Sequence, residues 1–293
     1  MKLTYYIPLI LIALITSTGL CSTKYSDIKK LEMEVGDYAQ VLLFNKYGEV
    51  NVTGISGTKA YLKVTRTLEA KSKEALEKVK DEVYLDTMVL EDHLYYFIQN
   101  PYSILEIEEI GGIAHYNSRD SGKWRWSNNG ERDVKYIFSF EVQMPMNIDF
   151  RVSTHKEDLR VNNMRGRLNA SAHFGDIYLK GVKNLESVSG HHGKISVQFA
   201  ANPSIDGKYR THHGSIELEF PSTPSADVSM SSYHGKFFTD FDWKPIPFKT
   251  TKENNNRGTK YKIGSNTIVR MGNGRTKMSL KTHHGDMYIR KSS

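Results

Sequence analysis

Thr211-His212-His213-Gly214-Ser215-Ile216-Glu217-Leu218 decides how this chain is read, because the pattern recurs. Ala172-His173-Phe174-Gly175-Asp176-Ile177-Tyr178-Leu179 and Gly190-His191-His192-Gly193-Lys194-Ile195-Ser196-Val197 precede it. Ser232-Tyr233-His234-Gly235-Lys236-Phe237-Phe238-Thr239 and Thr282-His283-His284-Gly285-Asp286-Met287-Tyr288-Ile289 follow it. The aligned glycines are separated by 18, 21, 21 and 50 residues. Two positions after them stand Ile177, Ile195, Ile216, Phe237 and Met287; four positions after stand Leu179, Val197, Leu218, Thr239 and Ile289. Apolar residues at period two mark strands with one buried face. The alternation continues upstream, in Leu168-Ala170-Ala172, Tyr209-Thr211, Val228-Met230-Ser232 and Met278-Leu280-Thr282. The glycine suits a tight corner or a close backbone approach.

Each unit therefore reads strand, glycine corner, strand. A period near 20 residues built of short strands predicts an all-β fold, a β-solenoid or β-helix-like stack. Successive coils then lie about 4.8 Å apart, the ordinary strand spacing. An antiparallel sandwich is the rival arrangement; identical residues recurring in one column favour stacking. Tyr47-Gly48-Glu49-Val50-Asn51-Val52 is a diverged early copy.

Working outward, residues 27–66 and 85–110 alternate as strands, and so do residues 136–154. Ala75, Leu76, Val79 and Val83 have helical spacing, and Glu74 and Lys78 form an i,i+4 pair, which predicts one helix at about 71–83. Residues 111–134 read as a polar loop carrying Trp124-Arg125-Trp126. The expected organisation is a leader at 1–22, an N-terminal β region at 23–135 and a repeat domain at 136–293. Lys2, the apolar run Tyr5 to Ile15 and the small polar Thr16-Ser17-Thr18-Gly19 have the layout of a secretory signal peptide. The run is shorter than the roughly 18 residues of a membrane anchor. Cys21 stands where a lipoprotein carries its lipidated cysteine, but Leu20 breaks that pattern; ordinary cleavage after Gly19 or Ser22 competes with it. The expected location is the cell envelope, periplasmic or at the outer surface, or the medium, with peripheral or lipid-tethered membrane association open.

The chain has 293 residues, 39% hydrophobic and 25% charged, in the range of globular proteins. A single cysteine excludes a disulfide scaffold and any cysteine-based zinc finger. The formal charge of +7 favours anionic surfaces as partners.

The glycine-centred strand repeat, the single helix before it and the closing Gly285-Asp286-Met287-Tyr288-Ile289-Arg290 resemble the DUF4097 family over residues 27–293. These are exported β-strand-repeat proteins of the bacterial envelope, grouped as adhesins. The resemblance implies a β-helix-like fold and an envelope location, and it brings no catalytic residues. Fold alone does not fix function.

Eight of the 11 histidines flank repeat glycines. Stacking in chain order would place His191 beside His212, and His192, His213 and His234 in one row. Neutral imidazoles so gathered suit Zn²⁺, Cu²⁺ or Ni²⁺. The plainer reading is a polar corner ladder of stacked rings, since Phe174 and Tyr233 occupy the same columns. Two further features suit a ligand. Residues 244–281 carry ten basic side chains, among them Lys249, Lys252, Arg257, Lys260, Lys262, Arg270, Arg275 and Lys277, against one acid, Glu253. Such an excursion suits anionic glycans or lipid headgroups, or is a solvated hairpin aiding solubility. Trp124 and Trp126 share a face of an extended segment and either stack on sugar rings or pin the loop. No nucleophile-elbow, P-loop, zincin or dinucleotide motif occurs, and the column after the glycine (Asp176, Lys194, Ser215, Lys236, Asp286) forms no acidic ladder. The expected function is non-catalytic and cofactor-free: an adhesin-like protein binding an envelope surface or anionic glycan, not nucleic acid. A purely structural envelope protein is the alternative, and a polysaccharide-processing enzyme the third reading.

Overall fold

The computed structural model describes residues 16–18, 22–101, 103–110, 113–120, 134–247, 250–255, 258–263 and 267–292, with side chains at 22–101, 134–247 and 267–292. It is nearly all β with one short helix, and its strands form large mixed sheets. The chain divides into two compact units, Met1–Glu157 and Asp158–Ser293. Strands at 134–145 and 149–154, grouped by their sequence with the repeats, fall in the first unit because their strand partners lie there.

The first unit contains β1 (Thr16–Thr18), β2 (Ser22–Glu34), β3 (Gln40–Phe44), β4 (Val50–Ile55) and β5 (Lys59–Ala70). After the helix α1 (Lys73–Glu82) come β6 (Tyr84–Leu90), β7 (His93–Gln99), β8 (Ser103–Ile110), β9 (Ile113–Asp120), β10 (Val134–Pro145) and β11 (Asp149–Thr154). One sheet runs β1-β2-β5-β10-β4 and is antiparallel except for the parallel β10–β4 pair. The other runs β11-β3-β7-β6. β8 and β9 pair as a separate hairpin, so residues 113–120, expected within the polar loop, are a strand instead. Alternation along β10 buries Val134, Tyr136, Phe138, Phe140 and Val142, with Leu62, Val64 and Leu68 of β5 buried on the neighbouring strand. Leu42, Phe44, Tyr95 and Phe97 form a further cluster with Met88 against it.

The helix starts two residues later than its spacing predicts because Ser72 caps it, accepting from the Ala75 N–H at 3.1 Å. Leu76 and Val79 face the sheet and are buried. Arg66 of β5 donates to the carbonyls of Lys80 and Val83 at 2.7 and 2.8 Å, satisfying the open C-terminal end, while Asp27 holds the same guanidinium with both oxygens.

The second unit contains β12 (Leu159–Asn162), β13 (Arg167–Ala172), β14 (Ile177–Val182), β15 (Asn184–Gly190), β16 (Ile195–Phe199), β17 (Gly207–Arg210), β18 (Ile216–Phe220) and β19 (Ala226–Ser231). It continues with β20 (Phe237–Thr239), β21 (Lys244–Pro245), the hairpin β22 (Thr250–Asn255) and β23 (Gly258–Ile263), then β24 (Thr267–Met271), β25 (Thr276–Lys281) and β26 (Met287–Lys291). From β12 to β21 successive strands alternate between two sheets. One runs β12-β14-β16-β18-β26-β20, parallel throughout. The other runs β13-β15-β17-β25-β19-β24-β21, parallel as far as β19 and antiparallel beyond it.

The alignment columns are the register. Ile177 pairs Ile195, Ile195 pairs Ile216, and Ile216 pairs Met287, all buried. The order, however, is not the chain order. The last unit lies between the third and fourth: β25 separates β17 from β19, and β26 separates β18 from β20. The 50-residue gap is thus a crossing past the outermost strands. Those strands have edge character. β20 has only three residues, none buried, and Tyr233 beside it is 74% exposed.

Candidate binding surfaces

The corner between the two sheets of the second unit is set by three columns of residues. Thr211 and Thr282, buried three positions before their glycines, donate hydroxyl hydrogen bonds to the Gly193 and Gly214 carbonyls at 3.3 and 3.1 Å. Gly214, at φ +147°, passes so close to Gly193 that a Cβ would meet its carbonyl oxygen. Asp176 and Asp286, one position after their glycines, accept the N–H of Lys194 and Lys236, each at 2.8 Å. These acids serve the backbone of the neighbouring repeat.

Backbones held this closely bring the rings outside them into two ladders. His173, His191, His212, His283 and Tyr233 stack in that order, with centroids 4.6, 5.0, 4.8 and 5.1 Å apart and planes within 10°. Phe174, His192, His213, His284 and His234 stack beside them at 5.2, 4.9, 5.0 and 4.9 Å. Between ladders the rings meet edge to face at 4.3–4.5 Å. His191 and His212 are neighbours, as chain order predicts. His234 is not beside His213: His284 intervenes, because the last unit is inserted there. The proposed metal set of His191, His192, His212, His213 and His234 is therefore split. Among the described residues no group of three or more His, Cys, Asp or Glu is placed to hold a metal ion.

Burial first, and the adjoining imidazoles second, hold His173, His213 and His283 below the ordinary histidine value of 6.5. An unfolded chain takes up these protons at the ordinary value, and the folded chain resists them. Stability is then complete above pH 6.5 and falls as pH drops from there through the lowered folded values. The melting temperature is expected to be lower at pH 5.5 than at pH 7.5. Equal values, by calorimetry in matched ionic strength, would mean that the ladder carries no protonation penalty.

The outer faces differ. On the first sheet Arg160 lies over the Tyr178 ring at 5.3 Å, Arg290 over Tyr288 at 4.6 Å, and Phe238 stacks on Tyr288 at 5.1 Å. Glu217 is held by Lys194 at 2.5 Å and Arg290 at 3.2 Å, and Glu219 accepts from Gln198. These carboxylates are paired with cations and amides. The second sheet shows Ser187, Ser189, Lys208, Arg210, Ser229, Ser231, Ser279 and Lys281 on its outer side, in rows fixed by the register.

Of the sequence-predicted binding residues, Trp124, Trp126, Lys249 and Arg257 lie outside the described residues, and the leader cysteine Cys21 does too. Lys252, Lys260 and Lys262 are placed by backbone in the hairpin, where Lys252 pairs Tyr261 and Lys262 pairs Thr251. Arg270 is tied to Asp227 of β19 through two contacts of 2.7 and 2.8 Å. Lys277 stands opposite the same Asp227. The charge of this segment is thus partly met by an acid 43 residues away in the chain, which a local count of charges misses. Arg275 extends from the turn into β25, exposed. Lys208 and Arg210 were not among the predicted residues; the alternation Lys208-Tyr209-Arg210-Thr211, with Tyr209 and Thr211 buried, is the signal for them. A further unit is hidden by the loss of its glycine. Thr154-His155-Lys156-Glu157-Asp158-Leu159 has Glu157 in place of the glycine, yet Thr154 donates to the Gly48 carbonyl at 3.4 Å as the repeat threonines do.

No protein-family model matches the chain, and no curated protein matches it. Solved structures do. A crystal structure described as "a putative cell adhesion protein" from Clostridium sporogenes is 11% identical, with 92% of this chain and 100% of that chain covered and a TM-score of 0.40. "A putative adhesin" from Bacteroides fragilis is 12% identical over 90% of this chain and 97% of that one, with a TM-score of 0.27. A "putative lipid binding protein" from Parabacteroides distasonis is 10% identical over 91% and 97%, with a TM-score of 0.24. Among the described residues no helix is long and apolar enough to cross a membrane.

Proposed function

We propose that this chain is a non-catalytic, exported, adhesin-like protein that binds a surface or an anionic glycan along an extended repetitive β face. The observation that carries the reading is the outer surface of the second unit. Parallel strands in register repeat the same outward positions coil after coil, which suits a ligand that is itself extended and repetitive. The second unit is read as a short β-solenoid with its last coil inserted, and the chain as a DUF4097-like protein with a signal peptide and Cys21 as its candidate lipid anchor. Paired rather than clustered carboxylates, such as Glu217 between Lys194 and Arg290, argue against glycoside hydrolysis, which needs two carboxyl groups facing one bond.

Protease shaving of intact cells, with immunodetection of residues 244–281, tests the location. Cleavage on intact cells is expected. Protection until the outer barrier is opened would remove adhesion and leave a structural role inside the envelope.

A further inference from the structure

On the outer side of the second unit's second sheet, Arg210 of β17 stands directly opposite Lys281 of β25 in the parallel register. Lys208 lies two residues before Arg210 on the same face, opposite Ser279. All three cations are exposed, and none makes an ion pair among the described residues. Like charges directly opposite each other on neighbouring strands are destabilising. Among the described residues no acid pairs with them. The strands on either side present Ser187 and Ser189, and Ser229 and Ser231, at the matching positions. The acids nearby are engaged elsewhere. Glu186 holds Arg167 and Asn169, Asp227 holds Arg270, and Asp206 accepts the Lys277 N–H at 2.7 Å. Two residues beyond Arg210 and Lys281 come His212 and His283, whose rings stack at 4.8 Å. The corner past them holds Lys194 and Lys236, with Asp176 and Asp286 bound to the backbone N–H of those two residues.

We propose that this face, formed by Lys208, Arg210, Lys281, His212 and His283, is a binding site for an acidic polysaccharide, and that acid strengthens it. This deepens the reading above and rests on it. The like-charged row has no counter-ion among the described residues, and an external polyanion supplies one. The flanking serine hydroxyls both donate and accept, which suits sugar hydroxyls between the acidic groups. The rows of Lys208, Arg210, Lys281 and the serines carry no aromatic ring; the rings of the face are those of the ladder at its end, where His212 and His283 stack on each other, and the nucleic-acid arm of the test addresses them. Protonation turns an imidazole into a cation, so a polyanion bound beside the His212–His283 stack favours the protonated ladder and gains affinity from it.

The test uses the full mature chain with heparin as sulfated probe, hyaluronate as carboxylated probe and single-stranded DNA as the contrast. Binding is measured by calorimetry at pH 7.5 and 5.5 and low ionic strength, because salt screens exposed charges. Heparin is expected to bind, and to bind more tightly at pH 5.5. Arg210→Gln with Lys281→Gln is expected to weaken it about tenfold or more at both pH values, the loss of two charged contacts. The same variant should melt no lower than the parent, since it removes a repulsion. His212→Gln with His283→Gln is expected to keep the binding at pH 7.5 and lose the gain at pH 5.5. Unchanged heparin affinity in the Arg210/Lys281 variant overturns the site; if Lys252→Gln with Lys260→Gln then abolishes binding, the anion sits on the hairpin and the adhesin-like reading survives. DNA binding more tightly than either polysaccharide overturns the ligand class. Binding to neither polysaccharide by a protein that still attaches to cells overturns this inference alone.

Discussion

A chain ending at Arg275 is expected to lose the cooperative fold of its second unit. Truncation of a repeat array ordinarily removes a terminal coil and frays one end, because each repeat touches only its neighbours. Here the last residues are interior. β25 pairs β17 on one side and β19 on the other, and β26 pairs β18 and β20. Residues 276–293 carry Met278, Leu280, Met287 and Ile289, all buried. At roughly 1.5–3 kcal/mol for each buried side chain, their removal costs about 6–12 kcal/mol, the size of a whole domain's stability. It also leaves β17, β18, β19 and β20 with open edges in mid-sheet, a template for aggregation. Replacing the hairpin 250–263 by a short linker should leave the melting temperature nearly unchanged, since among the described residues β22 and β23 pair only with each other. Urea unfolding of both proteins, followed by circular dichroism, separates the two. A truncated chain with an unchanged midpoint would refute the inserted position of the last repeat.

That insertion marks the boundary of what the residues disclose. The column of Ile177, Ile195, Ile216 and Met287 is legible as a period-two pattern hung on a glycine, and it reappears as strand register. Register is a local property, repeated in each unit, so a linear alignment contains it. The order in which units stack is not local. Nothing in Ser232-Tyr233-His234-Gly235 states that its neighbour is residue 285 rather than 214, except degeneration. Tyr233 and Thr239 depart from their columns, and β20 beside them is an edge strand, paired on one side only among the described residues. The first unit was less readable for the same reason. Its β10 pairs β5 across more than 60 residues and β4 across about 90, and no repeat announces either pairing. The binding faces follow the same division. The imidazole ladder is written in the repeat itself. The neutralisation of Arg270 by Asp227 and the unrelieved row of Arg210 and Lys281 depend on which strands become neighbours.

Gly285→Ala is expected to destabilise the second unit by at least about 3 kcal/mol, in the range reserved for backbone conflict. Gly285 has φ +146°, a region that side chains with a Cβ rarely enter, and a Cβ there would meet the Gly214 carbonyl oxygen and carbon. The obstacle is backbone, which cannot swing aside as a side-chain tip can. Gly214 cannot retreat either, because the Thr282 hydroxyl and the strand pairing of Ile216 with Met287 hold it from both directions. Gly272 provides the comparison within the same unit. Its φ is +54°, and the nearest atom to an added Cβ is the Pro224 carbonyl oxygen at 3.1 Å, in a turn that is exposed. Alanine in that left-handed turn costs only roughly 1–2 kcal/mol. The difference between the two substitutions measures the close approach of coils separately from the preference for a positive φ. Equal losses in urea unfolding would mean that the columns of glycine serve turn geometry alone and that the corner has room to spread. A much larger loss at Gly285 would mean that the same contact that positions the carbonyls also fixes the ring spacing near 5 Å, so that the imidazole ladder exists because glycine lets the backbones touch.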